Sequence, residues 1–122
     1  MERFEEMVRE DTEKGLIPFW LNTTHGTTST CSHDDTEGFN KVCQKYKIWH
    51  NLDAAYQGVA WVIPSERDKV NLENIDSILI NGAKFFMVGN TGSLIYVRNK
   101  AKYQESFIVG GHIEVYKNRF SG

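Results

Sequence analysis

Long hydrophobic runs are missing from this 122-residue chain. No window approaches the roughly 18 unbroken apolar residues that a membrane-spanning helix needs. Cysteine is scarce as well: Cys31 and Cys43 are too few to staple a fold. With no export signal they read as reduced thiols rather than as a disulfide. An excess of either charge is also lacking, with 14 Lys and Arg against 16 Asp and Glu. Neither nucleic acid nor an anionic membrane is therefore indicated as a partner. Metal-ligand spacing is absent too. The four histidines form no HxxxH pair, no CxxC exists, and Cys31-Ser32-His33 has no second pair to complete a zinc site. The opening MERFEEMVREDTEK is acidic, the opposite of a signal or transit peptide, so a soluble cytoplasmic chain is expected. Without a secretory signal, the sequon Asn22-Thr23-Thr24 reads as a chance match.

What is present is enough for a packed core. An apolar share of 40 %, with seven Phe, five Tyr and three Trp, argues against disorder, and the length suits one domain or less. Residues 1–14 predict a helix that turns Phe4, Met7 and Val8 inward and ends at Gly15. Leu16 to Leu21 is an apolar run suited to a buried strand, and the hydroxyl-rich loop Thr23 to Thr30 follows it around Gly26. Asp34 or Asp35 can cap a helix reaching Tyr46, with Phe39, Val42, Cys43 and Tyr46 on its inner face. Ile48 to Leu52 predicts a strand ending at Asp53, and a small-residue turn from Ala54 to Gly58 comes next. After Pro64 and a helical turn around Leu72 to Ile75, strands are expected at Ser77–Ile80 and Gly92–Val97, then a helix over Lys100–Phe107.

Alternation of strands and helices predicts an α/β layer on a mostly parallel sheet, with ligands placed at one edge by right-handed crossovers. The polar residues gather at the expected strand ends: Thr27 and Thr28, then Asp53, then Asn81 and Lys84. So few strands leave an edge that expects further partners, and the chain reads as the middle of something larger. An apolar strand ending in Asp53 delivers a carboxylate that needs a cation or hydrogen bonds. Lys84, among Phe85, Phe86, Met87 and Val88, is either an ion-pair partner for Asp53, a solvated amine, or a nucleophile activated by desolvation. A lysine and a carboxylate together also suit pyridoxal phosphate, the lysine as carrier and the carboxylate on the pyridinium nitrogen.

At this point the wording of the segments becomes specific. Gly15-Leu16-Ile17-Pro18-Phe19, Gly26-Thr27-Thr28-Ser29-Thr30, Asp34, Asp53-Ala54-Ala55-Tyr56, Ile75-Asp76-Ser77 and Asn81-Gly82-Ala83-Lys84 occur in that order. Together they resemble the group II pyridoxal-phosphate-dependent decarboxylases, the aromatic-amino-acid and histidine decarboxylase relatives. In that family GLIPF precedes a GTT loop, DAAY carries the cofactor aspartate and NPHK carries the lysine. The resemblance implies the central part of the large domain of a fold-type I enzyme, spanning residues 1–122 without a complete second domain. It implies that Lys84 forms the Schiff base with pyridoxal 5'-phosphate and later moves the proton at the substrate carbon. Asp53 would hold the pyridinium nitrogen, Ala55 would pack on the ring, Thr28 would lie beside it under Asp34, and Asn81 would reach toward the phosphate. The implied reaction removes the α-carboxylate of an amino acid, in a homodimer, with no nucleic acid and no membrane involved.

The chain also departs from the pattern. Ala83 and Gly82 stand where the family has histidine and proline, Asn51 where it has histidine, and Phe85 where it has tryptophan. The family's ring-stacking histidine, much of its phosphate cradle and its small C-terminal domain have no counterpart in this sequence. Tyr116 is a poor match to the catalytic-loop tyrosine. These changes leave a second expectation open, a non-catalytic truncated relative that serves only as a folded interaction or dimerisation module. Trp20, Trp49 and Trp61 read as packing aromatics, Tyr56 as a candidate lining residue, and His50 as a surface or edge residue.

Overall fold

The computed structural model describes residues 1–86, 89 and 92–107. Helix α1 (Glu2–Glu13) is followed by strand β1 (Trp20–Thr24), helix α2 (Thr36–Tyr46) and strand β2 (Trp49–Asp53). A 3-10 helix (Gln57–Val62) and the short α3 (Pro64–Arg67) lead to β3 (Ser77–Asn81), α4 (Gly82–Phe85), β4 (Ser93–Val97) and α5 (Lys100–Glu105). Among the described residues the sheet has the order β1-β2-β3-β4. β1, β2 and β3 run parallel in register Thr24↔Asp53 and Asp53↔Leu79, while β4 returns antiparallel along β3. None of the described helices is long and apolar enough to cross a membrane.

Helix α2 forms where the sequence allows it to start and stop. Asp35 accepts a hydrogen bond from the Gly38 N–H at 3.0 Å, and Lys47 leaves the helix in the left-handed region at φ 59°. Its Val42 and Cys43 bury with Val8 of α1 and Ile48, and Phe4, Leu21 and Tyr46 pack around them. Cys31 and Cys43 carry free thiols, one exposed and one buried. Burial, helped by the charge of Asp76, pushes the Cys43 thiol up to about 11, so it stays protonated.

Three expectations need correction. The apolar run Leu16 to Leu21 is not a buried strand: β1 begins only at Trp20, and Ile17 and Phe19 stay 84 % and 75 % exposed. The run is divided by competing backbone demands. Gly15, at φ 79°, and Leu16 return their N–H groups to Thr12 and Asp11 to close α1, and Pro18 has none to give. The helical turn near Leu72–Ile75 is instead a simple turn, and the helix forms at Pro64–Arg67, where proline occupies the first turn. His50 is no surface residue; it is fully buried.

The neighbours of His50 explain why burial is tolerated. Asn40 Nδ2 donates to the Glu73 carbonyl at 2.9 Å, so Asn40 Oδ1 faces His50 Nδ1 at 3.2 Å as an acceptor. His50 is therefore the Nδ1–H tautomer, and its Nε2 accepts from the Thr23 hydroxyl at 2.7 Å. With both ring nitrogens engaged, a neutral imidazole costs little to bury. On the opposite face of the sheet a second ladder runs from Trp49 Nε1–H to Ser77 Oγ, from Ser77 to Asn51 Oδ1, and from Asn51 Nδ2 to Asn22 Oδ1.

Candidate cofactor site at the strand ends

Parallel strands put the C-terminal ends of β1, β2 and β3 on one edge, and each contributes one polar residue there. Asp53 closes β2 half-buried, and its Oδ1 accepts the N–H of Ala55 at 3.0 Å. That turn is tight because its residues are small. A Cβ on Gly58 would come within 2.9 Å of the Ala54 Cβ and 3.0 Å of Ile80 on β3. Beyond β3, Asn81 Oδ1 accepts from the Ala83 N–H at 2.9 Å and starts α4, which carries Lys84. Lys84 Nζ then donates to Thr28 Oγ1 at 3.0 Å. This bond links the loop after β1 to the helix after β3 and so bridges the end of β2, where Asp53 lies.

The loop that presents Thr28 is closed at its neck. Thr24 N–H donates to Asp34 Oδ2 at 2.7 Å, and Asp34 N–H returns to the Thr24 carbonyl at 3.0 Å. His25 and His33 pair through the backbone and stack with ring centroids 4.1 Å apart. Inside the loop Thr27 Oγ1, Thr30 Oγ1 and Ser32 Oγ form a hydroxyl chain with 2.7 Å steps. Gly26 turns at φ 81°, and a Cβ there would collide with the Gln57 side chain. His33 Nε2 is bonded to Gln57 Oε1 at 2.6 Å, so the loop is also tied to the turn after β2.

Thr28, Asp53, Ala55, Asn81 and Lys84 thus all lie at one sheet edge, but some expected contacts are not made. Asp34 does not orient Thr28; it is used at the loop neck. Among the described residues Lys84 has no carboxylate partner, so the Asp53–Lys84 ion pair is not formed. Lys84 is also exposed, as are Phe85 and Phe86, so the apolar burial expected around it is not seen among the described residues, and Met87 and Val88 lie outside them. Asn51 is committed to the ladder between Asn22 and Ser77, out of the strand-end cluster. Tyr56 packs edge-on against Phe85, with centroids 6.4 Å apart, beside Lys84. Tyr116 lies outside the described residues.

Sequence reasoning missed the surroundings of the loop neck. His25, His33, Gln57, Trp61, Glu66 and Lys69 line a cavity of about 230 Å³. Burial, and then the neighbouring His33, lower His25 to about 4, so it is neutral near pH 7. Trp61 Nε1 is buried there without a hydrogen-bond partner among the described residues. Seven residues lie between the two histidines and no periodicity relates them, so only loop closure brings them together.

The profile of the family described as "Pyridoxal-dependent decarboxylase conserved domain" matches residues 1–114. The chain belongs to that family. It is 36 % identical over 105 residues to histidine decarboxylase of Drosophila melanogaster, which covers 85 % of this chain and 12 % of the relative. Likewise it is 37 % identical over 103 residues to 3,4-dihydroxyphenylacetaldehyde synthase 2 of Drosophila simulans, covering 84 % of this chain and 31 % of that one. Among solved structures, tryptophan decarboxylase of Catharanthus roseus in complex with L-tryptophan superposes with TM-score 0.79 at 26 % identity, over 88 % of this chain and 23 % of that one. The chain therefore spans less than a third of each of these three decarboxylase-family proteins. The α/β fold with a mostly parallel sheet agrees with the sequence reading.

The family's cofactor is pyridoxal phosphate, and the residues at the strand ends have the chemistry to hold it. A half-buried carboxylate fixed by a backbone N–H, a primary amine held by a hydroxyl, and a small side chain at Ala55 sit along one edge. The departures at Gly82 and Ala83 leave the lysine and the aspartate in place. They leave no polar side chain at positions 82 and 83 beside the lysine.

Proposed function

We propose that residues 1–122 are the central part of the cofactor-binding large domain of a pyridoxal-phosphate-dependent amino-acid decarboxylase, without a complete second domain. The observation that carries this reading is the Lys84–Thr28 hydrogen bond, which links the loop after β1 to the helix after β3 across the end of β2, the strand that closes on Asp53. Lys84 would carry the cofactor covalently and move the proton at the substrate carbon. The Thr28 hydroxyl holds its amine in place. Asp53, oriented by the Ala55 N–H, would keep a proton on the cofactor's pyridine nitrogen. Ala55 would pack on the ring, and Asn81, whose Oδ1 is spent on α4, would offer its Nδ2 to the phosphate. When bound, pyridoxal phosphate supplies the sink for the electron pair left when the α-carboxylate departs as CO2.

Aromatic amino acids and histidine are the substrates proposed for the whole protein, since relatives named for them match along most of this chain. A homodimer is proposed as its working form by family resemblance. Two unbonded thiols suit a reducing compartment, the cytoplasm. A second reading, a non-catalytic interaction or dimerisation module, is favoured by Ala83, Gly82 and the diversion of Asn51 into a structural ladder.

Titration of the purified chain with pyridoxal phosphate, followed by borohydride reduction and peptide mapping, separates the two. Saturable visible absorbance and a label on Lys84, lost in Lys84→Ala, are expected. No saturable band, or label scattered over surface lysines, would mean that this chain does not hold the cofactor and would favour the second reading.

A further inference from the structure

Among the described residues seven of the twelve Lys and Arg side chains lie against carboxylates. Arg3, Arg9, Lys14, Lys41, Lys45, Arg67 and Lys69 each lie within 4.0 Å of a carboxylate oxygen. Lys47, Lys84, Arg98, Lys100 and Lys102 make no such pair there. Lys84 belongs to the strand-end site. Three of the other four, Lys47, Arg98 and Lys102, line one cleft of about 310 Å³ together with Trp49, Asn74 and Asp76.

The fold gathers the charged residues of this cleft from separate segments. Lys47 ends α2 just before β2, Asp76 immediately precedes β3, and Arg98 follows the antiparallel β4. All three therefore stand at the N-terminal ends of β2 and β3, the end of the sheet opposite Asp53 and Lys84. Lys102 reaches over from α5, its Nζ 5.8 Å from the Trp49 ring centroid. Two wall residues, Lys47 and Asn74, have φ of 59° and 64°, a left-handed backbone that residues with a side chain seldom adopt.

Charge at the cleft is one-sided. Arg98 is held in place because its Nε donates to the Ile75 carbonyl at 2.9 Å and one terminal nitrogen donates to the Leu72 carbonyl at 2.8 Å. Those partners are neutral, so the guanidinium charge is not cancelled, and its other terminal nitrogen is left to donate. Asp76 is the one carboxylate in the wall, and one of its oxygens already accepts the His50 N–H at 2.9 Å. Cys43 stays a neutral thiol. Three cations against one carboxylate leave two positive charges in a chain whose net charge is −2.

We propose that this cleft is a second ligand site that takes a small dianionic phosphate group, free or as a monoester. Its volume, about ten times the roughly 30 Å³ that a water occupies in the liquid, suits such a group with a short substituent. The fixed guanidinium supplies its charge and the N–H groups of its remaining terminal nitrogen, and two flexible ammonium groups close around the other oxygens. No basic track leads away from the cleft among the described residues, so a discrete small ligand suits it better than a polymer.

The test is an amide and side-chain NMR titration of the full chain with inorganic phosphate and with glycerol 3-phosphate, against chloride at matched ionic strength. Saturable shifts confined to Lys47, Asn74, Asp76, Arg98 and Lys102 are expected. Preference for the ester over the ion, or the reverse, identifies the source of the phosphate. The Lys47→Gln/Lys102→Gln double variant should lose about fivefold or more in affinity, while Lys41→Gln on the same helix, paired with Glu37, should not change it. Shifts no larger than those with chloride, or equal losses in the double variant and Lys41→Gln, overturn the site. The wild-type shift map decides this even if a variant fails to fold.

Discussion

Two of the polar side-chain chains on this sheet differ sharply. In the middle, Thr23, His50 and Asn40 run beneath α2, and at the C-terminal edge Thr28 and Lys84 reach across the end of β2 to flank Asp53. The first chain is closed. Every side-chain donor has an acceptor, the tautomer of His50 is fixed by its partners, and Thr23 and His50 are 2 % and 0 % exposed. The second is open. Lys84 is exposed, and its one side-chain partner among the described residues is a threonine hydroxyl. The same residue types serve packing where a helix covers them, and remain available to a ligand where the strands end.

Changes to the closed chain should be the costliest. His50→Leu leaves the Thr23 hydroxyl and Asn40 Oδ1 buried without partners, and is expected to cost about 3 kcal/mol in urea unfolding. A cost below about 1 kcal/mol would show that the network is not what holds these strands together.

Acidification should come next, because it puts a charge into the other buried imidazole. His25 in the native chain titrates at about 4, against about 6.5 unfolded, so the unfolded chain takes up the proton first. Above pH 6.5 this linkage contributes nothing. As pH falls from about 6.5 to about 4, stability drops by up to about 3 kcal/mol, and it changes no further below. Burial lowers His50 as well, against the pull of Asp76, and acts in the same direction. Thermal melts across this range should slope less in His25→Leu, and an unchanged slope would remove His25 as the cause.

The open chain should barely register. Thr28→Val and Lys84→Ala are expected to alter stability by less than about 0.5 kcal/mol, since both residues are exposed. Thr28→Val should nevertheless weaken pyridoxal phosphate binding in an absorbance titration. If either substitution destabilised the chain as much as His50→Leu does, the strand-end residues would be structural and the contrast would fail.

The legible features were those with a local cause. Asp35 capping α2, the inward face of Val42 and Cys43, β2 ending in Asp53, and the order of the strand-end residues all follow from short-range pattern. The misread ones depended on a distant partner. The run from Leu16 looked like a buried strand because apolar content does not reveal that Gly15 and Leu16 are needed to close α1. His50 looked like an edge residue because no neighbour in sequence announces Thr23 or Asn40 as its partners. Asn51 stood out as a lost family residue, whereas its cross-strand bonds to Asn22 and Ser77 arise only from register.

By itself the sequence determined the family, the alternation of strands and helices, and that β2 ends at Asp53 and β4 at Val97. Spacing and motif order are properties of the chain, and they need no folded partner to be read. Tertiary structure alone decided which polar groups meet. Parallel pairing brought Thr28 to Lys84 across 56 residues, packing of α2 on the sheet enclosed His50 between Thr23 and Asn40, and the antiparallel return of β4 gathered Arg98 and Lys102 beside Lys47 at the far end of the sheet. Contacts of that range are set by packing a helix on a sheet and by strand register, and neither is written in any one stretch of the chain.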